Sequence, residues 1–274
     1  MTRNVPEMTP QSAPEKREQL IRDGFCVIED VLPEDFLVEL RRTSDRMIDA
    51  VETPPHHWKF QGSDIHVSEG DEPVMDRLLH WPGTRNALEM LGLEDFSLPR
   101  KVQILSKPPG GEALYWHQDW TNWNDPISCA PWPQYLFLSY YLTDTTIDNG
   151  CLRVIPGTHR RRIDLHDRLI AAHGQGAYRI TDARDYPDMF CDHPDAVDVA
   201  VKAGSLVLAD GRALHAARAN HSNARRTLLL SWSSRPATVP AYWTGDVPDA
   251  IRHRDPDAQI EGTRVPGQYL QSAT

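Results

Sequence analysis

Cysteine is scarce in this chain. Four are present among 274 residues (Cys26, Cys129, Cys151 and Cys191), and no two stand in a C-x-x-C spacing. That pattern excludes a zinc knuckle or a redox dithiol and leaves reduced thiols as the default. Long apolar runs are missing as well. None approaches the roughly 20 residues that a bilayer-spanning helix needs, and the N-terminus lacks a secretory h-region. The expectation is a soluble, cytoplasmic protein with no membrane partner. Positive charge is the third deficit. With 29 Lys and Arg against 39 Asp and Glu, the formal net charge is −10. A nucleic-acid partner is therefore not expected, because phosphate binding needs a positive face. A small-molecule substrate is left open, since a local pocket can be basic on an acidic protein. No internal repeat, low-complexity tract or H-E-x-x-H occurs, and the last absence makes zinc hydrolysis a weak reading.

What is there is ordinary globular material: 40% apolar and 25% charged residues, enough at this length to bury a core. The polar, proline-containing residues 1–12 are expected to be disordered, and 13–274 to form a single domain. Ala13 to Asp23 reads as a short helix, and G-F-C-V-I after it as a buried strand. Pro33 to Val51 is an amphipathic helix with Phe36, Leu37, Leu40, Met47, Ile48 and Val51 at helical spacing. Residues 73–92 read as one helix bent near Pro82, and D-I-H-V, holding His66, as a loop. After Pro99 the texture changes to short β-branched or aromatic runs: K-V-Q-I-L-S, Y-L-F-L-S-Y-Y-L, C-L-R-V-I, V-D-V-A-V, S-L-V-L-A and T-L-L-L-S-W. P-P-G-G, D-N-G, P-G-T and A-G-S turns separate them. The fold class expected is mainly β with flanking helices around a jelly-roll, cupin-like core (a double-stranded β-helix). Residues 164–194, rich in His, Asp and Gly, are expected to be a lid insertion.

One stretch carries chemistry. In Y-W-H-Q-D-W, His117 and Asp119 are two apart, so on a strand they share a face and Gln118 turns away. A neutral imidazole and a carboxylate suit two positions of a divalent metal such as Fe(II). The best third ligand is His215 in A-D-G-R-A-L-H, placed at a strand end by the preceding S-L-V-L-A. Such a set leaves one face of the metal open to a co-substrate, which in many such enzymes is 2-oxoglutarate. Its distal carboxylate wants a guanidinium. Arg225 and Arg226 open the later strand, and Arg226 shares its face with Leu228, Leu230 and Trp232, so Arg226 is the inward candidate.

W-H-Q-D-W, D-N-G-C-L-R-V-I-P-G-T-H-R, A-G-S-L-V-L-A-D-G-R-A-L-H and K-P-P-G together resemble the phytanoyl-CoA dioxygenase family, from about Gly24 to Trp232. The resemblance implies an Fe(II)- and 2-oxoglutarate-dependent oxygenase on a double-stranded β-helix. It implies that His117, Asp119 and His215 hold iron, and that Arg226, Gln103 and Ser139 stand around the co-substrate. A tryptophan found near the co-substrate in some members is replaced here by Ser139, and a serine two past the distal histidine by Ala217. It further implies O2 as oxidant, succinate and CO2 as products, and hydroxylation rather than halogenation, since halogenating members have a small residue at the position of Asp119. Arg153 and His159 read as structural, and His159 to Arg162 (H-R-R-R) as a solvated basic edge. Trp120, Trp123 and His66 are the candidates for a substrate wall, and the substrate class expected is a small metabolite or natural-product intermediate. Two alternatives stand beside this: a cupin-like metal oxygenase that uses no 2-oxoglutarate, and a non-catalytic jelly roll that binds without turnover.

Overall fold

Leu136, Leu138 and Tyr140 alternate with Phe137, Ser139 and Tyr141, so a strand through them must satisfy two different faces. The computed structural model, which describes residues 12–52, 54–55, 58–120, 132–173 and 183–235, provides both. Ten strands are found among the described residues: β1 (Phe25–Ile28), β2 (Ile65–Ser68), β3 (Lys101–Lys107), β4 (Leu114–His117), β5 (Tyr135–Tyr141), β6 (Leu152–Val154), β7 (Val197–Val199), β8 (Leu206–Asp210), β9 (His215–Ala217) and β10 (Arg226–Ser234). They make a six-stranded sheet in the order β1-β8-β5-β10-β3-β2 and a four-stranded sheet in the order β4-β9-β6-β7, paired antiparallel throughout. This is a jelly-roll core.

Phe137, Tyr141, Val207 and Leu228 of the large sheet meet Val154 and Val199 of the small one in a shared apolar layer. The other face, with Leu136, Leu138, Tyr140, Leu206 and Leu229, is covered by α1 (Ala13–Asp23), α2 (Glu34–Asp49), α4 (Pro73–Leu79) and α5 (Pro82–Met90), through Leu20, Phe36, Leu40, Met75, Leu79 and Leu88. A one-turn helix, α3 (Trp58–Gln61), lies before β2. The expected bend near Pro82 is a full break. Proline has no N–H to continue the helix and disfavours helical backbone in Trp81, so α5 restarts with Pro82 in its first turn. The D-I-H-V loop is in fact edge strand β2, with His66 opposite Gln103 on β3.

Residues 164–173 form α6 (Asp164–His173) and 187–190 form α7 (Pro187–Phe190). Leu165, Leu169 and Met189 pack against Trp116, Leu214 and Ala216 on the outer face of the small sheet. Residues 174–182 of the expected lid, and 1–11 of the expected disordered end, lie outside the described residues. Arg153 stacks on Trp116, its guanidinium 5.1 Å from the ring centroid, and pairs with Asp192 at 2.8 Å. His159 packs on Gly24, where a Cβ would lie 2.6 Å from its Nδ1. No described helix is long and apolar enough to cross a membrane.

His166 on α6 gives the fold an acid-sensitive point. Its Nδ1 accepts the Ile163 N–H at 3.0 Å while its buried Nε2 has no partner, and burial pushes its pKa from 6.5 down to about 4. A depressed histidine pKa means that the unfolded chain binds more protons between those values. The stabilising contribution is complete above about pH 6.5 and is lost as pH falls towards 4. Between about pH 7.5 and about pH 5 the loss from this residue is about 2 kcal/mol. His166→Asn keeps an acceptor near the Nδ1 position and has no proton to gain. Denaturant titrations at the two pH values should show a smaller acid-induced loss in the variant, and an equal loss would contradict the assignment.

Candidate active site

β4 ends at His117 and β9 begins at His215, and the two residues are direct cross-strand partners. Their rings therefore face each other, with centroids 4.1 Å apart. After His117 the chain leaves the strand. The main-chain N–H groups of Asp119 and Trp120 both donate to Gly211 O, at 2.8 and 2.9 Å, which turns the Asp119 carboxylate back over the histidines. Gln118 points away and donates to Arg212 O. His215, expected at the end of the S-L-V-L-A strand, instead opens a strand of its own, five residues past the end of β8 at Asp210.

The ligand atoms of His117, Asp119 and His215 all lie within 4.8 Å of one another. Asp119 Oδ1 is 3.6 Å from His117 Nε2 and 3.7 Å from His215 Nε2, beyond hydrogen-bond length. Each Nδ1 faces a main-chain carbonyl, Tyr115 O at 2.9 Å and Ala213 O at 3.1 Å, so each ring donates there and turns its Nε2 lone pair inward. Burial, and secondly the adjacent His215, push His117 down to about 4 against the pull of Asp119, which keeps its imidazole neutral. Three lone-pair donors converging without a proton between them are mutually repulsive unless a cation sits among them. The donor set, two imidazoles and one carboxylate on one side, fits Fe(II) with open positions opposite.

Asp119 is itself held. Its Oδ2 accepts the Trp232 Nε1–H at 3.1 Å. Trp232→Phe removes that donor while keeping an aromatic ring, and should weaken metal binding by about tenfold. Fluorescence-detected metal titration would show it, and an unchanged affinity would mean that the indole only fills space.

The same cavity extends from the triad along β10. Arg226, Leu228, Leu230 and Trp232 all line it, as strand parity requires, while Arg225 turns outward to Asp49 at 3.2 Å. Arg226 is 3% exposed, its Nε has no hydrogen-bond partner, and burial lowers its pKa. Lys107 is its cross-strand partner and lines the cavity too. Burial, and then the Arg226 charge, hold its pKa well below the usual lysine range. Ser139 and Gln103 are also in the wall, with Tyr141, Phe137 and Gln61. Gln103 Nε2 donates to the Asp64 carboxylate, which lies 3.0 Å from His66 Nε2.

The substrate-wall candidates are not brought together. His66 is exposed and meets the cavity only through Asp64 and Gln103. Trp120 is buried against Tyr135, with ring centroids 6.0 Å apart, and is absent from the described cavity wall. Trp123 lies outside the described residues. Sequence reasoning missed Lys107, Tyr141 and Trp232 as site residues, although parity with Arg226 was a signal for Trp232. A roomier groove of about 690 Å³ runs between α1 and Pro156–Arg161, but it is open and mixes Arg17, Arg22, Arg160 and Arg161 with Glu18 and Asp23. It holds none of the triad residues, so the chemistry points to the smaller cavity.

A family model described as Phytanoyl-CoA dioxygenase (PhyH) matches residues 20–228. The probable alpha-ketoglutarate-dependent hypophosphite dioxygenase of Stutzerimonas stutzeri is 28% identical over 207 residues, which cover 74% of this chain and 63% of that protein, less than two thirds of its length. The ectoine dioxygenase of Bordetella parapertussis is 25% identical over 255 residues, covering 85% of this chain and 80% of the relative. Among solved structures, EctD from S. alaskensis with 2-oxoglutarate and 5-hydroxyectoine shares the fold at a TM-score of 0.56 and 20% identity, over 85% of this chain and 78% of that one.

Proposed function

The chain belongs to the phytanoyl-CoA dioxygenase family, and from that premise we propose that it is an Fe(II)- and 2-oxoglutarate-dependent dioxygenase that hydroxylates a small molecule and releases succinate and CO2. The observation that carries this reading is the polarity of one cavity. Two imidazoles and a carboxylate converge at one end, the buried Arg226 guanidinium stands at the other, and Leu228, Leu230 and Phe137 lie between. A keto acid with a distal carboxylate is anionic at both ends, and it would fit this cavity with its chelating end toward a metal ion held by the triad and its distal carboxylate toward Arg226.

In this reading His117, Asp119 and His215 hold Fe(II). Bound there, the metal would supply O2 activation coupled to oxidative decarboxylation of the keto acid. The remaining work belongs to the chain. Arg226 offers a forked donor pair to the distal carboxylate. Ser139 and Gln103 flank the co-substrate, and the leucines exclude water from the reacting end. Asp119 fills the third protein position with an anion, which leaves no place for a halide and favours hydroxylation. On the substrate side, Asp64 fixes the Gln103 amide, so His66 acts on that wall at one remove. Trp120 supports it from behind through Tyr135, and Trp123 remains a candidate for direct contact. The relatives' names, ectoine and hypophosphite dioxygenase, support a small-molecule substrate without choosing one.

The test is an anaerobic titration of the apo-protein with Fe(II) and then 2-oxoglutarate. A weak visible charge-transfer band should appear only after both additions and be lost in His215→Ala. Tight Fe(II) binding with no band would favour the cupin-like alternative that uses no 2-oxoglutarate. Absence of Fe(II) binding would refute the oxygenase and leave a binding module.

A further inference from the structure

Lys107, the last residue of β3, is among the largest fully buried side chains. Its Nζ donates to two main-chain carbonyls, Glu112 O at 2.7 Å and Arg218 O at 3.0 Å. Glu112 lies two residues before the start of β4, the strand that ends in His117. Arg218 directly follows β9, the strand that begins with His215. One side chain thus bridges the ends of the histidine strands that are remote from the ligands. The pairing between those strands is irregular. Leu114 faces Ala217 and His117 faces His215, so three steps on β4 match two on β9. A bulged pair two or three steps long does little to hold its own register, and an outside tie at the open end supplies what it lacks.

The site is built for this side chain. A Cβ on Gly111 would lie 2.6 Å from Lys107 Cγ, and one on Gly150 would lie 3.2 Å from Lys107 Cδ and 3.0 Å from Arg218 O. These glycines belong to K-P-P-G-G and D-N-G, so two turn motifs of the sequence also form the sleeve around the lysine stem. Asn220 closes it, donating from Nδ2 to Lys107 O at 3.1 Å and exchanging main-chain bonds with Gly110 and Gly111.

We propose that Lys107 is a positioning residue. It sets the placement of His117 against His215 by tying their strands together, and because it stands opposite Arg226 it links the anion-binding end of the cavity to the metal end. This rests on the metal-site reading above.

The experiment uses the full chain and Co(II) alone as probe, with no keto acid, following tryptophan fluorescence and the d–d absorption of the bound ion. Lys107→Met keeps an unbranched stem and removes the donors. It should weaken Co(II) binding by about 10- to 100-fold and change the shape of the d–d band. Lys101→Met, at the exposed start of the same strand, leaves the tie in place and should bind Co(II) with wild-type affinity and spectrum. Gly111→Ala keeps the charge and pushes the stem aside. It should act in the same direction as Lys107→Met, and it serves if that variant does not fold. Wild-type affinity and spectrum in whichever of these two variants folds would overturn the proposal. So would an equal loss in Lys101→Met, which would make the effect one of general charge. If the wild-type chain fails to bind Co(II), the metal-site reading falls instead.

Discussion

Asp119→Ala should abolish 2-oxoglutarate turnover and weaken Fe(II) binding by more than about a hundredfold, beyond the usual cost of losing an outer partner of a ligand. Asp119 is the one anion of the triad, 3.6 and 3.7 Å from the two imidazole nitrogens. Without it a dication faces two neutral donors in a cavity where burial penalises uncompensated charge. The variant also removes the carboxylate that counters the downward pressure on His117, so the ring stays neutral and the loss cannot be ascribed to protonation. Trp232 loses its acceptor, and its indole N–H is left facing the space the carboxylate filled. Succinate release under O2, with calorimetric Fe(II) titration alongside, measures both effects. Undiminished activity would remove Asp119 from the ligand set.

Arg226→Met has effects of opposite sign on binding and on stability. A forked pair of charge-assisted hydrogen bonds to a carboxylate contributes about 3–6 kcal/mol, so 2-oxoglutarate affinity should fall by about 10² to 10⁴. The apo-protein, by contrast, should melt at a higher temperature. A guanidinium 3% exposed, with an unpartnered Nε and Lys107 alongside, is a cost to the empty fold, and methionine of similar length relieves it. Stability given up for a binding site is the common pattern of functional cavities. Thermal melts with and without the keto acid read both signs in one experiment: the wild-type chain gains stability on ligand addition and the variant does not. A variant that is less stable alone yet still stabilised by 2-oxoglutarate would assign the anion to another residue.

The middle of the large sheet was legible because its strands are long and each face has its own partner. K-V-Q-I-L-S, Y-L-F-L-S-Y-Y-L and T-L-L-L-S-W became β3, β5 and β10. β2 was not legible: D-I-H-V is short, and it is a strand only because β3 offers it an edge. β9 was hidden for the same reason. H-A-A has no β-branched residue, and its three positions are held by β4 and β6 on either side. The triad residues and Arg226 could be nominated by parity and spacing, since both follow from backbone geometry. Lys107 could not, because its neighbours Glu112, Gly150 and Arg218 meet only when the two sheets close. Trp120 packs on Tyr135 rather than in the described cavity wall, and an aromatic beside a metal motif looks the same in sequence in either place.

β10 touches both ends of the cavity: Arg226 begins it and Trp232, bonded to Asp119, sits six residues on. It lies in the interior of the large sheet, paired with β3 from Arg226 to Leu230 and with β5 from Leu228 to Ser234, so each of the two residues is fixed to a neighbouring strand. In the proposed reading the strand acts as a gauge, and the interval it keeps between Arg226 and Asp119 would select the co-substrate by chain length. Oxaloacetate, shorter by one methylene, and 2-oxoadipate, longer by one, should then support turnover poorly, and equal rates with all three would contradict the gauge. A reacting group misplaced by about 1 Å can cost about a hundredfold in rate.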